Sequence, residues 1–578
     1  MNSNIQNIKI LRAVFLFVLI ILSQNAFSQV KQDWVSRFNG VDGEDKANAM
    51  TIDNEGNIYL AGYSEGKGTG KDFMTIKYSE KGEIIWSQRF IGIGFAIESE
   101  DEARAIVTDG KGNVYVTGHT SMGRAGIEFC TIKYNAKGQE EWINYFSGLG
   151  NIEDSYDEAT SIATDGNGSI YVTGNSIGDN GSDICILKYD ESGNQVWASL
   201  FDGKANGNDY AVSVKADKQG FVYVAGTTEG GNTSKDYFVA KYSKSGEQEW
   251  VQTYNGIDRN LLINDDEVSA LEVDESGNVY VTGYSYGGIT GKDFLTIKYN
   301  SSGQIVWVSR IDNSQMPISL LFDDEAKALA VNSSGDVYVT GKTSNSQSGS
   351  DYFTVKIGLK GQKLWAKLFN SETIDPSLDG AEALVLDSKG NIYVTGYIND
   401  EQPFSDCGNE RGIDFCTIKY TTSGEQKWIK DFNGSGGIGN NDDIAKGILI
   451  NGSGNLYVMG ESMGSEETKL DFCLVKYSED FPTSIIDSNI KQSFELYDNF
   501  PNPFNPSTKI SFNVSVVSNV KLTIYDISGR EVSLLENSIL QPGKYQYQWN
   551  ASQFASGTYF YKIQASDFVM TKKMTLIK

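Results

Sequence analysis

Gly112-Asn-Val-Tyr-Val-Thr-Gly118 is the stretch that decides the fold, because the chain contains eight versions of it. The tyrosines at its centre are separated by 52 to 64 residues. Self-similarity at such a period is typical of solenoids and propellers, in which each repeat is one supersecondary unit. The other seven versions are Gly56–Gly62, Gly168–Gly174, Gly220–Gly226, Gly277–Gly283, Gly335–Gly341, Gly390–Gly396 and Gly454–Gly460.

Each unit is predicted to form four short strands. The first is small and alternating, as in Ala103–Asp109, and an Asp-x-x-Gly-Asn turn leads to a second strand at Val114–Thr117. A variable loop precedes the third strand, Phe129–Tyr134, and another glycine turn precedes a fourth strand that begins at Trp142. Period-two alternation between glycine-marked turns indicates an all-β meander.

A four-stranded meander has open edges and two faces to bury, and radial repetition solves both problems. Two paired positions of the first strand are almost always small, which suits an innermost strand crowded around an axis. We therefore predict an all-β, eight-bladed β-propeller over residues 29–480, with seven blades as the alternative. The small pairs are Ala47/Ala49, Ala103/Ala105, Ala159/Ser161, Ala211/Ser213, Val268/Ala270, Ala326/Ala328, Ala381/Ala383 and Ala445/Gly447.

The tryptophans of the repeats indicate how the ring closes. Seven of them follow a glycine by four residues, whereas Trp34 has no such glycine and the last unit ends at Tyr477 without a tryptophan. The strand around Trp34 is therefore predicted to supply the outer strand of the last blade. The predicted blade-packing residues are Trp34, Trp86, Trp142, Trp197, Trp250, Trp307, Trp365 and Trp428.

The N-terminal residues predict export. Lys9 and Arg12 precede the apolar run 13–22, and small residues at Ala26 and Ser28 mark a cleavage site before Gln29. Such a run is too short to span a bilayer, so residues 1–28 are predicted to be a signal peptide. No other segment is long and apolar enough, and the mature chain is predicted to lack a transmembrane segment.

Charge and cysteine usage limit the partners and the chemistry. The formal net charge is −26, and a polyanion is repelled by phosphate backbones and anionic lipids, which argues against nucleic acid and membrane surfaces as partners. Four cysteines occupy one equivalent third-strand position in four repeats, too far apart for disulfides, and are predicted to fill the core. Cys407 stands apart in a loop. The four are Cys130, Cys185, Cys416 and Cys473.

The repeated unit resembles the SBBP β-propeller repeats of exported bacterial proteins. The matching pattern is Asp-x-Ala-x-Ala-Ile, Gly-Asn-Val-Tyr-Val-Thr-Gly, Asp-Phe-x-Thr-Ile-Lys-Tyr and Gly-x-x-x-Trp, and it covers roughly residues 30–480. The resemblance implies a propeller. That family is named for seven blades, so the eight units depart from it, and it implies no particular ligand.

A different composition begins after the repeats. Residues 481–494 are polar and irregular and are predicted to be a linker, and residues 495–578 are predicted to form a small β-sandwich. Pro501, Pro503 and Pro506 force an extended entry into it. Its predicted strands include Lys509–Val514, Val520–Tyr525 and Gly557–Ile563.

This C-terminal segment resembles the type A sorting domain of type IX secretion. The resemblance implies the type IX secretion machinery as a partner, and a protein secreted from or attached to the outer surface of a Gram-negative bacterium. An accessory ligand-binding sandwich is the alternative. The motif is carried by Pro501-Asn502-Pro503 and the following residues to Thr508, Val520–Asp526 with Gly529, Ser556–Tyr561 including Gly557, and Lys572-Lys573 with the residues to Lys578.

No residue pattern compels an enzymatic interpretation. The chain has one histidine, His119, whose equivalents in other repeats vary, so it is predicted to lie at a variable loop position. Three Gly-x-Ser-x-Gly matches begin at Gly62, Gly283 and Gly460, but they fall at one strand-to-strand connection rather than the strand-to-helix turn that a nucleophile elbow needs. No catalytic residue is predicted.

Two columns of acids are predicted to lie at one end of every sheet. They are interpreted either as a cation- or polyol-binding rim or as caps for loop N–H groups. No cofactor or metal is predicted, although calcium is left open. The first column is Asp45, Asp101, Asp157, Asp209, Asp266, Asp324, Asp379 and Asp443, and the second is Asp72, Glu128, Asp183, Asp236, Asp293, Asp351, Asp414 and Asp471.

The loops at that same end differ most among the repeats. Apolar residues on variable loops over a rigid scaffold indicate recognition, so this end is predicted to bind an unknown extracellular glycan or protein. The loops are Ile91–Glu100, Gly148–Tyr156, Ile257–Asp265, Asn313–Phe322 and Tyr397–Ile413, with Phe95, Leu261, Leu262, Ile318 and Phe404 as apolar candidates.

Three functions follow, of which a non-catalytic binding or adhesion scaffold is favoured. An extracellular enzyme is the second, either carbohydrate-active or quinoprotein-like. The spacing in Asp190–Trp197 resembles the tryptophan-docking motif of eight-bladed quinoprotein dehydrogenases, although an adjacent cysteine pair is missing. A structural surface-coat component is the third.

Overall fold

The described residues of the computed structural model are all β-strand and connection. No α-helix occurs among them, and thus none that could cross a membrane. They divide into two compact units, residues 1–482 and 483–578. The predicted signal peptide, residues 1–28, and the predicted linker, residues 481–494, lie outside the described residues. These are 29–40, 43–92, 99–123, 126–148, 155–178, 181–203, 207–230, 235–256, 265–287, 290–313, 323–345, 349–371, 377–400, 412–434, 442–463, 469–480, 495–514, 518–540, 543–565 and 568–578.

Four-stranded antiparallel meanders follow one another along the first unit, and we number them sheets 1 to 8. Sheet 1 contains β2 (Asp45–Ile52), β3 (Ile58–Gly66), β4 (Gly70–Tyr78) and β5 (Ile84–Phe90), and β6 (Ser99–Glu100) adds to β4. Sheet 2 contains β7 (Glu102–Thr108), β8 (Val114–Ser121), β9 (Gly126–Tyr134) and β10 (Glu140–Phe146), and β11 (Ser155–Tyr156) adds to β9. Sheet 3 contains β12 (Glu158–Thr164), β13 (Ile170–Ile177), β14 (Ser182–Tyr189) and β15 (Gln195–Phe201). Sheet 4 contains β16 (Asp209–Ala216), β17 (Val222–Glu229), β18 (Lys235–Tyr242) and β19 (Gln248–Tyr254).

The same order continues through the second half of the repeats. Sheet 5 contains β20 (Asp266–Val273), β21 (Val279–Tyr286), β22 (Lys292–Tyr299) and β23 (Ile305–Ile311). Sheet 6 contains β24 (Asp324–Val331), β25 (Val337–Asn345), β26 (Gly349–Ile357) and β27 (Lys363–Phe369), and β28 (Ser377–Leu378) adds to β26. Sheet 7 contains β29 (Gly380–Leu386), β30 (Ile392–Asp400), β31 (Gly412–Tyr420) and β32 (Gln426–Phe432). Sheet 8 contains β33 (Ile444–Ile450), β34 (Leu456–Met463), β35 (Leu470–Asp480) and β1 (Gln29–Phe38).

Sheet 8 takes its fourth strand from the beginning of the chain. Strand β1 pairs antiparallel with β35, with Trp34 opposite Lys476 and Phe38 opposite Phe472. The strand pairing predicted from Trp34 is therefore present. Without β1, sheet 8 would expose the hydrogen-bonding edge of β35.

The last glycine of the repeated motif is explained by a bulge in the first strand of each sheet. In sheet 2 the pairing register shifts between Ala103 and Ala105, opposite Gly118. A Cβ atom on Gly118 would collide with the carbonyl oxygen of Glu102. Glycine is needed here because the backbones approach closely, and the same collision recurs at Gly62, Gly174, Gly226, Gly283, Gly341, Gly396 and Gly460.

The core lies between adjacent sheets. Tyr59 and Phe73 of sheet 1 pack with Val116 and Cys130 of sheet 2, all of them buried. Equivalent clusters join the other neighbours, because the second and third strands carry side chains on both faces of each sheet. Because both faces of these strands are buried, their sequences are continuously apolar, as around Tyr115, and do not alternate between apolar and polar residues.

Sheets 8 and 1 also share a core. Tyr457 and Phe472 of sheet 8 pack with Leu60 and Met74 of sheet 1. The first strands of these sheets, β33 and β2, are in contact, as are the first strands of the consecutive sheets. The packing of sheet 8 on sheet 1 thus repeats the packing between sheets that are neighbours in sequence.

Each tryptophan of the repeats docks on the following sheet. Trp142 Nε1 donates to the carbonyl oxygen of Glu191 at 3.2 Å. The Trp142 ring packs on Gly193 so closely that a Cβ atom on this glycine would lie only 2.8 Å from the ring. The sequence pairs each tryptophan with the glycine four residues before it, but the structure packs that glycine against the tryptophan of the preceding repeat. The glycine of the Gly-x-x-x-Trp motif therefore contributes to the packing between two neighbouring sheets.

The C-terminal unit contains a three-stranded and a four-stranded sheet. Its core includes Phe512, Ile524, Trp549 and Tyr561. The first sheet has the order β36-β37-β40 and the second β39-β38-β41-β42. The strands are β36 (Glu495–Leu496), β37 (Ser507–Val514), β38 (Ser518–Asp526), β39 (Glu531–Leu540), β40 (Gly543–Asn550), β41 (Gly557–Ala565) and β42 (Phe568–Leu576).

The proline-rich entry of this unit is tied to its last strand. Thr575 N donates to Asn502 Oδ1 at 2.9 Å, and Phe504 N donates to Thr575 O at 3.0 Å. Lys572 Nζ forms an ion pair with Asp498 Oδ1 at 2.9 Å. The two ends of the predicted sorting motif are thus held together, although they are far apart in sequence.

Candidate functional site

The two acid columns lie in one row at one end of each sheet. In sheet 1, Asp45 pairs with Ser64 across β2 and β3, and Ser64 pairs with Asp72 across β3 and β4. Sheet 5 repeats the row with Asp266, Ser285 and Asp293. The middle position of the row carries a hydroxyl in seven repeats, a feature that the sequence interpretation did not single out. We call this end of the sheets the acidic end. The hydroxyl residues are Ser64, Thr120, Ser176, Thr228, Ser285, Thr343 and Ser462.

Acids of the first column are buried and bonded to the connections around them. Gly92 N donates to Asp101 Oδ2 at 2.7 Å, while Ser121 N and the Thr120 hydroxyl donate to Oδ1 at 2.9 and 2.6 Å. Asp101 therefore links the connection that follows β5 in sheet 1 to the end of β8 in sheet 2. The other first-column members, Asp45, Asp157, Asp209, Asp266, Asp324, Asp379 and Asp443, are buried in the same way.

Acids of the second column interact with the first column of the next sheet. The Asp101 charge acts on Asp72, the Asp209 charge on Asp183, and the Asp45 charge on Asp471. Burial together with these charges raises the pKa of Asp183 and that of Asp471 to about 6. The pairs lie at the junctions between sheets, where like charges disfavour full ionisation.

Three sheets neutralise this row with an arginine on the fourth strand. Arg89 pairs with Asp72 at 2.8 Å and Arg310 with Asp293 at 3.1 Å, and Arg37 donates to Ser462 Oγ at 2.9 Å. Each arginine follows the tryptophan of its strand by three residues. The equivalent residues in the other five sheets are Tyr145, Leu200, Thr253, Leu368 and Asp431.

Two groups of three carboxylates occur among the described residues of the acidic end. Asp183, Asp202 and Asp209 each have an oxygen within 4.8 Å of the other two, and Asp293, Asp312 and Asp324 do likewise. In the second group burial is the largest cause that raises the pKa of Asp324 to about 7, and the neighbouring acids add to it. Oxygen clusters of this kind can coordinate a hard divalent cation.

His119 lies in a strand and not in a loop, so that part of the sequence prediction is wrong. Strand β8 extends to Ser121, because its ladder with β9 continues to the Ser121–Ile127 pair. His119 is 2% exposed, and its Nδ1 lies 3.6 Å from Glu158 Oε1. This burial leaves the imidazole without access to a substrate in solution.

The Gly-x-Ser-x-Gly matches also lie at strand ends. Ser64 is buried in β3, and the Arg89 guanidinium donates to its hydroxyl. Ser285 has the same partner type in Arg310, at 2.6 Å. These serines belong to the hydroxyl row of the acidic end, and each hydroxyl accepts a hydrogen bond from an arginine.

The thiols of the repeats are core residues, as predicted. Cys130, Cys185, Cys416 and Cys473 are buried and unpaired. Burial raises the pKa of each thiol, which suppresses the thiolate that a nucleophile or metal ligand requires. Cys407 lies outside the described residues, and so do the apolar candidates Phe95, Leu261, Leu262, Ile318 and Phe404.

The opposite end of the sheets is uniform. In the turn between β7 and β8, Asp109 N donates to Asn113 O at 3.1 Å and Gly112 N donates to Asp109 O at 3.3 Å. Seven repeats share this pair of hydrogen bonds. A cleft of about 780 Å³ between the turns of sheets 4 and 5 is lined by Phe221, Lys241 and Asp274. A similar cleft lies between sheets 6 and 7, so the clefts follow from sheet packing.

Family models match both parts of the chain. The model for a secretion system C-terminal sorting domain matches residues 498–578. The model for a beta-propeller repeat, SBBP, matches residues 33–68, 85–122 and 141–182. Both resemblances predicted from the sequence are confirmed by these matches.

Curated proteins and solved structures resemble the chain more remotely. Regulatory protein FlaEY of Caulobacter vibrioides is 27% identical over 124 residues, which is 19% of this chain and 12% of FlaEY, so the chain spans far less than two thirds of that relative. Sqt1 from Chaetomium thermophilum is 10% identical with a TM-score of 0.44, covering 78% of this chain and all of Sqt1. The periplasmic gluconolactonase PpgL of Pseudomonas aeruginosa is 12% identical with a TM-score of 0.38, covering 65% of this chain and 94% of PpgL. PorZ, a surface component of the type IX secretion system of Porphyromonas gingivalis, is 10% identical with a TM-score of 0.17, covering 94% of this chain and all of PorZ.

Proposed function

We propose that this secreted or cell-surface protein, which carries beta-propeller repeats and a type IX sorting domain, is a non-catalytic binding scaffold. Its repeats form a closed eight-bladed propeller, and the acidic end presents the ligand surface. The ligand is an extracellular glycan or protein. The sorting domain engages the type IX secretion machinery, which exports the propeller across the outer membrane.

Three contacts between the two ends of the repeat array support closure. Strand β1 completes sheet 8, and Arg37 on that strand donates to Ser462 of β34. The Trp34 ring docks at Gly82 of sheet 1, within 2.7 Å of a Cβ placed there. The chain thus uses at this joint the tryptophan contact that joins sheets adjacent in sequence.

The contrast between the two ends of the sheets is the observation that carries the binding role. The turns between first and second strands at the uniform end keep one length, and seven of the eight keep one hydrogen-bond pattern. At the acidic end the connection between second and third strands is residues 67–69 in sheet 1 and residues 401–411 in sheet 7. Variation confined to one end of a rigid scaffold is how repeat and loop scaffolds vary ligand specificity.

Buried reactive groups favour binding over catalysis. His119 and the four thiols of the repeats are inside the core, and Ser64 and Ser285 bond to arginines. The first-column acids bond to backbone N–H groups of the connections that they support. At the acidic end, a hydrogen-bonded row of acids therefore supports loops that differ from sheet to sheet.

A binding screen with loop variants tests the proposal. The mature chain is labelled with a fluorophore and applied to arrays of glycans and of extracellular proteins, and hits are measured by titration. Replacing residues 401–411 with a Gly/Ser segment should reduce the affinity of a hit by tenfold or more. The control replaces Glu55 and Glu275 with Ser at two uniform turns and should leave the affinity unchanged. Equal binding by the loop variant and the native chain, or loss of binding only in the control, overturns the assignment of the acidic end.

A further inference from the structure

Three carboxylates converge where sheets 3 and 4 meet. Asp183 lies near the start of β14, Asp202 follows the end of β15, and Asp209 opens β16. One oxygen of each lies within 4.8 Å of an oxygen of the other two. Their convergence depends on sheet packing, because Asp183 and Asp202 belong to one repeat and Asp209 belongs to the next.

No cation neutralises this group among the residues that the structure describes. Neither Asp183, Asp202 nor Asp209 takes part in an ion pair there, and Asp183 makes no hydrogen bond with another described residue. In sheet 5, by contrast, Arg310 pairs with Asp293, the equivalent of Asp183, at 3.1 Å. The strand register places Leu200 where Arg310 lies, so the guanidinium of sheet 5 has no counterpart in sheet 3.

Asp209 adds a buried oxygen that lacks a partner. Asp209 is 0% exposed, and its Oδ2 accepts a hydrogen bond from Gly203 N at 2.5 Å. The Thr228 hydroxyl, which faces Asp209 across the strand pair, and the Glu229 N–H lower the pKa of Asp209 against the larger effect of burial. Neither donor reaches Oδ1 at full hydrogen-bond geometry. A buried carboxylate oxygen without a donor is costly unless a cation binds it.

The oxygen spacing and the exposure suit calcium. Calcium binds oxygens at about 2.3–2.6 Å, so two ligand oxygens on one ion lie no more than about 5 Å apart. Asp202 is exposed, which gives an ion access from solvent, while Asp209 is buried at the base of the group. Calcium accepts flexible sets of six to eight oxygens that include waters, whereas magnesium demands near-octahedral geometry.

From these observations we infer that Asp183, Asp202 and Asp209 form a calcium-binding site that joins sheet 3 to sheet 4. The ion supplies the positive charge that Arg89 and Arg310 supply to the equivalent acids of sheets 1 and 5. Asp202 is the ligand that closes the site, and Asp183 and Asp209 hold the ion between two sheets. The site stabilises the scaffold and does not depend on which ligand the acidic end binds.

Calorimetric titration of the chelator-treated mature chain tests the site. Calcium chloride should bind, and it should raise the melting temperature relative to the same chain in EGTA. Asp202→Asn removes an exposed ligand charge, so it should fold normally and weaken calcium binding at least about tenfold. Magnesium chloride at the same concentration should give a smaller shift of the melting temperature.

A matched pair of variants separates ligation from general charge effects. Leu200→Arg supplies the guanidinium found in sheet 5 and should abolish the calcium-dependent shift while the chelated protein becomes more stable. Glu83→Gln alters an exposed acid in a turn at the uniform end and should leave the calcium response unchanged. An identical melting temperature in calcium and EGTA for the native chain, or an undiminished response in Asp202→Asn, overturns the site.

Discussion

Arg37 Nη2 donates a hydrogen bond to Ser462 Oγ at 2.9 Å, although 425 residues separate the two in sequence. Arg37 Nη1 also donates to the Met463 carbonyl oxygen at 3.0 Å. The guanidinium reaches across β35 to β34 and lies among the acids of sheet 8. Burial raises the pKa of Asp471 to about 6, and the charge of Arg37 opposes that rise.

Arg37→Ala should loosen the joint between the ends of the repeat array. The variant loses charged hydrogen bonds in a partly buried row and leaves Asp471 without its cation, so the free energy of unfolding should fall by about 2 kcal/mol. Urea unfolding followed by tryptophan fluorescence measures it. Lys31→Ala, on the same strand with a 65% exposed side chain, is the control and should change stability by less than about 0.5 kcal/mol. Equal stability of both variants would contradict a structural role for Arg37.

Gly118→Ala should be strongly destabilising, because the added methyl group meets the Glu102 carbonyl oxygen beneath the bulge. A collision with backbone cannot be relieved by a rotamer change, so we expect a loss of about 3 kcal/mol. Gly110→Ala is the matched control, since the nearest atom to its Cβ is Asn54 Nδ2 at 3.8 Å. Thermal unfolding of the two variants compares them. A wild-type melting temperature for Gly118→Ala would show that the close approach does not constrain this position.

Stability should rise as the pH falls from about 7.5 to about 5.5. The pKa of Asp324 is about 7 in the folded chain against 3.8 as the reference value, chiefly because of burial. Between these values the folded chain retains a proton that the unfolded chain has lost, so deprotonation on raising the pH costs stability. Asp183 and Asp471, with pKa values of about 6, act in the same direction.

Asp324→Asn isolates the contribution of one group to this pH dependence. Its amide oxygen still accepts from Asn313 N, which donates to Asp324 Oδ2 at 2.9 Å, but it does not titrate. Urea unfolding in EGTA at several pH values should give a smaller rise in stability for the variant than for the native chain. Parallel pH profiles would show that Asp324 is already ionised at neutral pH.

Thiol labelling checks the burial of the cysteines. The native protein should react with a maleimide at Cys407 alone, which the sequence places in a loop, and the unfolded protein should react at all five cysteines. Cys407→Ser should remove the native-state reaction and leave the four slow sites unchanged. Rapid labelling of Cys130 in the native chain would contradict the packing between sheets 1 and 2.

Local pattern was sufficient to predict the strands, the turns and the pairing of β1 with sheet 8. Alternation and glycine turns act over a few residues, so the four-strand unit could be read from the sequence, and Trp34 without a glycine pointed to the missing strand. The core position of Cys130 followed because equivalent residues in other repeats are apolar. His119 was misplaced, since the strand extends beyond the motif and only its ladder with β9 defines its end.

Contacts between repeats were decided by the tertiary structure alone. The packing of Gly193 on Trp142 rather than Trp197, the arginines that serve the hydroxyl row, and the meeting of Asp183 with Asp209 all join residues from different strands or sheets. The sequence of one repeat determines its own sheet, because its turns and alternation are local. Which carboxylates share a junction, and whether an arginine or a bound cation balances them, depends on the stacking of one sheet on the next.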